Sequence, residues 1–324
     1  MTFQPRNPAR FAVWRDGDPL PRSLRGAVAA VGNFDGVHRG HQRLIELAKA
    51  EAAARGRPSA VLTFEPHPRE HFAPDAPFFR LTPEAAKLTV LAKLGLDGAF
   101  LRRFDAGLAN QTAAAFVEVE LRGLELSGVV VGPDFRFGRG REGDGARLAA
   151  LCREQGLSCA VAPLVADGGA RVSSSAIRAA LEAGDVPTAN GLLGHRWFVE
   201  GAVRHGEKRG RTLGYPTANV RLPDEALLRH GIYAVRAAAD GTVRNGVASF
   251  GRRPTFDNGA PLLETFLFDF SGDLYGRTLQ VEFVAFIRGE ERFDNAEALV
   301  ARMDRDAAEA KALLAGDDVP SLIG

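Results

Sequence analysis

The rhythm of apolar runs changes once along this chain, near residue 195, and that change limits the folds open to it. Between residues 27 and 190, short apolar runs alternate with longer stretches of helical period. Ala27–Val31, Ser59–Phe64, Asp97–Leu101, Gly128–Gly132 and Ser158–Pro163 read as strands. His41–Arg55, Thr112–Arg122 and Asp144–Gln155 read as helices, and Thr82-Pro83-Glu84 reads as a cap followed by proline at the first helical position. Ser173 or Ser174 caps a last helix over Ala176–Ala183. Such alternation builds a parallel sheet with both faces covered. Past residue 195 strands follow one another directly: Trp197–Val203, Gly231–Ala238, Val243–Phe250, Leu262–Phe268 and Leu279–Phe286. Asp240-Gly241 and Ser271-Gly272-Asp273 are turn signals between them, and Asp294 with Glu297 reads as a capping box for a final helix. The expected fold class is α/β plus all-β: an N-terminal doubly wound parallel sheet, then a small antiparallel β-barrel with a closing helix. The boundary falls near Gly184–Gly194, giving domains 1–190 and 191–324.

Charge narrows the partners. The 324 residues carry 41 basic and 40 acidic side chains, a net charge of +1, so there is no footprint for nucleic acid or an anionic membrane. Cys152 and Cys159 have the spacing of neither a zinc ligand pair nor a redox C-x-x-C. No run approaches the roughly 18 apolar residues of a membrane span, and Met1–Asp16 lacks the apolar region of a secretion signal. A cytoplasmic location is expected; the sequence sets no oligomeric state.

Chemistry concentrates first in Gly32-Asn33-Phe34-Asp35-Gly36-Val37-His38-Arg39-Gly40-His41, between the first strand and the first helix. The glycines permit a sharp turn and close approach to a ligand. The helix start offers unpaired N–H groups and partial positive charge. His38 and His41, three apart, share a face there and can donate hydrogen bonds to phosphate oxygens. A metal pair is the rival reading, but it lacks a clear third ligand. Arg171-Val172-Ser173-Ser174-Ser175-Ala176-Ile177-Arg178 makes a second anion-binding helix start. Both segments follow strands of one parallel sheet, whose ligands sit beyond the carboxyl ends. Gly138-Arg139-Gly140-Arg141-Glu142-Gly143 spells G-x-G-x-x-G, but Pro133–Phe137 separates it from its strand, so it is not read as a dinucleotide fingerprint. Gly201–Lys208 nearly spells a P-loop, with Glu207 where lysine belongs.

In the second half, Gly206-Glu207-Lys208-Arg209-Gly210-Arg211-Thr212-Leu213-Gly214-Tyr215-Pro216-Thr217-Ala218-Asn219 is the densest stretch. Its glycines and cations suit a flap over ATP phosphates. Thr217 and Asn219, alternate residues of an extended segment, offer two neutral oxygens on one side, a donor set typical of Mg²⁺ beside phosphates.

These segments resemble one family, the bifunctional riboflavin kinase/FMN adenylyltransferases. The first resembles its G-x-F-D-G-x-H-x-G-H motif, and the serine segment its R-[VI]-S-S-[TS]-x-[IV]-R motif. Thr63-Phe64-Glu65-Pro66-His67-Pro68 and Val131-Gly132-Pro133-Asp134-Phe135-Arg136-Phe137-Gly138 are similar to two more. The stretch from Gly206 resembles the G-x-x-R-G-R-x-L-G-x-P-T-A-N signature of riboflavin kinases, joined by Gly251–Phe256 and Asp273–Gly276. The likeness runs from about residue 27 almost to the C-terminus.

The resemblance implies two ATP-dependent steps, riboflavin to FMN and FMN to FAD, with riboflavin, FMN and ATP as small-molecule partners and Mg²⁺ as cofactor. It implies that His38 and His41 hold ATP phosphates and the transition state. Gly32, Asn33, Phe34, Asp35, Ser173, Ser174, Ser175 and Arg178 would line the nucleotide site, and Glu65 and Asp134 would be FMN-side or metal-side groups. For the kinase, it implies ATP binding by Gly206, Lys208, Gly210, Arg211, Gly214, Thr217 and Asn219, with the metal on the last two. Glu264 matches the family's catalytic glutamate, a general base for the 5′-hydroxyl of riboflavin. The chain departs from the pattern at Phe266, where histidine is common, and at Ser249-Phe250, where Asn-Ile is usual. Phe286 and Phe293 are candidates either for a flavin slot or for core packing. The alternatives are an adenylyltransferase whose barrel only binds or regulates, and a flavin or nucleotide sensor without turnover; intact Thr217, Asn219, Glu264, His38 and His41 argue against both.

Overall fold

Six short strands form the first sheet, and the burial of its inner strands explains their sequence. In the computed structural model, which describes residues 11–163, 166–167, 170–206, 214–252, 260–317, 319 and 321–324, these are β1 (Ala12–Arg15), β2 (Val28–Val31), β3 (Ser59–Glu65), β4 (Gly98–Arg103), β5 (Gly128–Val131) and β6 (Ser158–Val161). All pairings are parallel, in the order β1-β4-β3-β2-β5-β6. Every residue of β2 and β5 is buried, as in a sheet covered on both sides. The helices of this half are α1 (Arg39–Ala54), α2 (Pro68–Phe72), α3 (Glu84–Lys93), α4 (Ala106–Ala109), α5 (Ala113–Ala115), which continues into a π-helix over Phe116–Arg122, and α6 (Gly145–Glu154). From β2 the chain moves to β3 on one side, and later returns to β5 on the other. The crevice between the ends of β2 and β5 is therefore a topological switch point, where open α/β sheets bind ligands.

Thr82 does not cap α3. The residue at that position is Pro83, which has no side-chain cap bond. Thr82 instead accepts the Gly36 N–H on its hydroxyl at 2.8 Å and donates its own N–H to Asp35 Oδ1 at 3.0 Å. It latches the loop after β2 from 46 residues away.

The chain packs into two compact units. One takes in the chain as far as Phe78 and Thr82–Val172, the other Phe79–Leu81 and everything from Ser173. The ladder of β7 (Ala166–Asp167) with β8 (Ala170–Arg171) closes the first. The second opens with α7 (Ser174–Ala183) and α8 (Val186–Leu193), which therefore pack with the later strands.

Those strands are β9 (Phe198–Ala202), β10 (Ala218–Arg221), β11 (Gly231–Ala239), β12 (Thr242–Arg252), β13 (Pro261–Leu267) and β14 (Thr278–Arg288). They pair antiparallel in the order β10-β13-β12-β11-β14-β9. An antiparallel bridge between Arg204 and Asn219, with Arg204 N–H donating to the Asn219 carbonyl at 2.9 Å, joins the two ends into a barrel. Burial alternates along β13, so Leu263, Thr265 and Leu267 face inward and Leu262, Glu264 and Phe266 outward. The final helix, α9 (Ala296–Ala315), covers part of the outer face, packing Ala307, Ala310 and Leu314 over Ala234, Val247 and Phe266. Its cap is Asn295, whose Oδ1 accepts the Ala298 N–H at 2.7 Å; the capping box expected from Asp294 and Glu297 does not form, because the cap falls one residue later and alanine stands at the position that would return the bond. Asp306 of α9 is held by Arg288 of β14 through both carboxylate oxygens at 2.6 to 3.1 Å. Among the described residues no helix is long and apolar enough to cross a membrane.

Candidate active sites

The turn after β2 is bent into conformations that ordinary residues avoid. Phe34 and Val37 have positive φ (52° and 43°), as does Gly36 (86°). For a β-branched residue such as Val37 this is a true outlier, and such outliers cluster at functional sites. The bend turns Phe34 and Val37 fully inward and leaves the His38–His41 turn at the mouth of the sheet. His38 caps α1, its Nδ1 accepting the His41 N–H at 3.3 Å. The two imidazoles stack, with centroids 3.7 Å apart and planes 13° off parallel. Phe34 lies under His41 at 5.1 Å, so it supports the imidazole from within the core. Asp35 is likewise buried at 2% exposure, and its role is the bond to Thr82. His41 Nδ1 is sealed from solvent and has no hydrogen-bond partner among the described residues. Burial, with the charges of His38 and Lys87, holds the His41 imidazole well below its ordinary proton affinity.

The start of the same loop, Gly32 and Asn33, lines a cleft of about 850 Å³. Gly32 and Asn33, after β2, and Asp134, after β5, all line it, as the switch point requires. Its walls are apolar, including Phe64, Phe104, Phe116, Phe135 and Phe137, and its rim carries cations, among them Arg69, Arg136, Arg139 and Arg141. The G-x-G-x-x-G stretch contributes four of the lining residues. It folds as a 3₁₀ turn at Arg139–Arg141, which agrees with its rejection as a dinucleotide fingerprint and gives it a different use. Glu65 does not line the cleft; its carboxylate accepts from the Lys87 ammonium at 2.7 Å. It precedes a cis peptide bond to Pro66.

In the second unit, Ser173 caps α7, its hydroxyl accepting the Ala176 N–H at 3.3 Å. Ser174 and Ser175 open the helix, and Arg178 Nε donates to the Phe79 carbonyl at 2.7 Å. The side chain of Arg171 lies outside the described residues, as do Lys208, Gly210, Arg211 and the rest of residues 207–213, and Arg253–Phe256.

On the barrel's outer face, Asn219 of β10 stands directly opposite Glu264 of β13, which stands opposite Ser249 of β12. Residues paired this way present their side chains to the same face. Asn219 is 6% exposed, and its Oδ1 is buried with no hydrogen-bond partner among the described residues. A Cβ on Gly206 would lie 2.5 Å from Asn219 Nδ2, so a larger residue there would displace the Asn219 amide. Thr217, half-buried, lies two residues before Asn219. Tyr215 packs on Phe266 with ring centroids 4.8 Å apart, and its hydroxyl donates to Asp304 of α9. Phe286 packs edge-on against Tyr233 at 5.2 Å and beneath the Arg229 guanidinium, and so serves packing.

Two family models match, one described as FAD synthetase over residues 20–176 and one as riboflavin kinase over residues 193–314. The bifunctional riboflavin kinase/FMN adenylyltransferase of Escherichia coli K12 is 41% identical over 288 residues, covering 88% of this chain and 92% of that protein. The chain belongs to the bifunctional riboflavin kinase/FMN adenylyltransferase family. A member from Bacillus subtilis is 37% identical, with 88% and 91% covered. A crystal structure described as a macrolide-efflux protein from Streptococcus pneumoniae has the same fold, with a TM-score of 0.79 at 31% identity over 87% of this chain and 92% of that one.

Within this family's two modules, sequence reasoning located the motif residues, Phe64, Phe135 and Phe137 among them, but missed Lys87, Arg69 and the cleft phenylalanines Phe72, Phe104 and Phe116. The phenylalanines come from β3, α2, the segment after β4, the π-helix and the loop after β5, five places without a common spacing. Lys87 sits in a helical stretch where an exposed lysine is the ordinary expectation, so its sequence carries no signal.

Proposed function

We propose that the chain carries out its two ATP-dependent steps at the two places described above, the adenylyl step at the switch point of the sheet and the kinase step on the outer face of the barrel. As a family member with both modules, it phosphorylates riboflavin to FMN with its C-terminal half and adenylylates FMN to FAD with its N-terminal half, releasing pyrophosphate. ATP is the co-substrate of both reactions.

For the adenylyl step, the observation that carries the reading is the aromatic cleft lined by the start of the loop that carries the stacked histidines. An isoalloxazine ring is flat and apolar enough for the phenylalanine walls, and the arginine rim suits its phosphate tail. The FMN phosphate is ionised at neutral pH, so it attacks the α-phosphorus of ATP without a protein base. The protein's part is to align the two reactants and to donate hydrogen bonds to the charge that builds on the phosphates. His38 and His41 take that role. Asn33 and Asp134, which both line the cleft, are proposed to contact the reactants, while Asp35, Phe34 and Glu65 are proposed to hold its surroundings in place. Ser173, Ser174, Ser175 and Arg178 are proposed nucleotide-binding groups on the strength of their sequence pattern and the capped helix start.

For the kinase step, Glu264 is proposed as the base for the 5′-hydroxyl of riboflavin. Asn219, with Thr217, fits a bound Mg²⁺. A buried amide oxygen without a partner costs roughly 1–3 kcal/mol, and a hard cation removes that cost while taking neutral oxygens and phosphates as ligands. The metal would supply charge stabilisation to the transferred phosphoryl group. Lys208, Gly210, Arg211 and Gly214 are proposed to cover the ATP phosphates. The domains proposed for the two steps are residues 1–190 and 191–324, and the location proposed is the cytoplasm, with no nucleic-acid partner.

The test is a time course on purified protein with riboflavin, ATP and Mg²⁺, with the flavins separated by chromatography. FMN rises first and FAD follows; protein given FMN directly makes FAD without the lag. Chelating the divalent ion stops FMN formation. FMN accumulation with no FAD under any feed would remove the adenylyl site from this reading.

A further inference from the structure

The first unit contains a buried cation that none of the steps above uses. Lys87, near the start of α3, is 0% exposed, and lysine is almost never fully buried unless paired. Its ammonium donates to Glu65 Oε1 at 2.7 Å and to the Thr63 hydroxyl at 3.2 Å. The Thr63 hydroxyl in turn donates to the Asn33 carbonyl at 3.1 Å. One nitrogen thus reaches two parts of the candidate site. Through Thr63 it holds the loop that carries His38 and His41. Through Glu65 it holds the corner leading to His67, which lines the aromatic cleft.

We propose that Lys87 is a positioning residue for adenylyl transfer, a buried joint that fixes the phosphate-binding loop against the wall of the flavin cleft. The inference rests on the reading that this loop and cleft serve the adenylyl step. Both reactants of that step bring phosphate groups, which must meet in line, and a misplacement of about 1 Å costs on the order of a hundredfold in rate. A joint that sets the distance between loop and cleft wall acts on that alignment directly. Its charge acts as well: in a site shielded from water, a cation attracts the polyphosphate over a longer range than at the surface. The same charge is among the causes of the lowered proton affinity of His41, which places Lys87 within electrostatic reach of the ring. The competing explanation is that Lys87 only neutralises Glu65.

Two variants separate these explanations, with the riboflavin kinase activity of the same chain as an internal control. Thr63→Val keeps the shape and breaks only the relay from Lys87 to Asn33. It is expected to lower kcat for FAD formation from FMN by about tenfold, with KM for FMN and ATP changed less than about threefold and the kinase rate unchanged. The double variant Lys87→Met/Glu65→Gln removes both charges and keeps the packing. It is expected to restore the melting temperature lost in Lys87→Met alone while kcat for FAD formation stays low. Recovery of both stability and kcat in the double variant overturns the proposal, as does wild-type kcat in Thr63→Val, which decides alone if the double variant does not fold. His38→Asn, measured alongside, isolates the underlying reading: normal FAD formation in that variant means the loop is not the adenylyl site.

Discussion

Asn219 and Glu264 face each other across adjacent antiparallel strands, on the outer side of the barrel and not in its core. The amide oxygen, without a hydrogen-bond partner among the described residues, and the carboxylate therefore share one surface, as the proposed metal ligand and the proposed base of one phosphoryl transfer must.

Glu264→Gln keeps the size of the side chain and removes its basicity. FMN formation from riboflavin should fall by about 10²–10⁴-fold, the usual contribution of a general base. FAD formation from supplied FMN should be unchanged. Measuring the two rates separately on one preparation checks this, and equal loss of both would remove Glu264 from the kinase step alone.

His38 has two duties that substitution can divide. His38→Ala removes both the imidazole and the cap on α1, and should cost about 1 kcal/mol of stability in addition to its effect on rate. His38→Asn keeps a capping oxygen, so denaturant unfolding should stay near wild type. Both variants should lose about 10²–10³-fold in FAD formation, typical for one missing preorganised donor, and both should accumulate FMN when given riboflavin.

His41 should resist protonation. Its folded-state affinity lies below the ordinary value of about 6.5, so between the two midpoints the unfolded chain binds a proton that the folded chain refuses. The stability contribution of a neutral His41 is complete above the ordinary value and is lost as pH falls toward the folded midpoint. An imidazole titration by NMR should place the His41 midpoint well under that of a histidine in a peptide. The difference in unfolding free energy between pH 7 and pH 5 should shrink in His41→Gln. A His41 midpoint at the peptide value would count against the buried geometry.

Glu282, on β14, anchors the C-terminal residues: its carboxylate accepts the Leu322 N–H at 2.7 Å and the Ser321 hydroxyl at 2.9 Å, with Arg196 at 3.5 Å. Burial pushes its proton affinity up against these bonds. Glu282→Ala should destabilise the chain by about 3–5 kcal/mol, because it leaves a buried cation with one partner fewer. Glu282→Gln should cost less, since an amide oxygen can still accept from Leu322. Thermal unfolding of the two variants orders them.

The chemistry of this protein was legible wherever it depends on neighbours in the chain. The strand–helix alternation, the glycine-rich turn with His38 and His41, the Ser173 cap and the alternation along β13 are local patterns, and local backbone geometry makes them readable. Other features belong to pairs far apart in sequence. Thr82 resembles a helix cap, yet its hydroxyl serves Gly36 because the fold brings that N–H closer. Five separate segments supply the phenylalanines of the cleft, and register alone sets Asn219 against Glu264. Lys87 is the extreme case: its residue type and helical setting suggest a solvated surface, and only the packing of α3 against β3 buries it among partners. Sequence determined which groups are available and on which local face they lie. Tertiary structure decided which of them meet, because distance, burial and hydrogen-bond competition are settled only when the strands and helices close on one another.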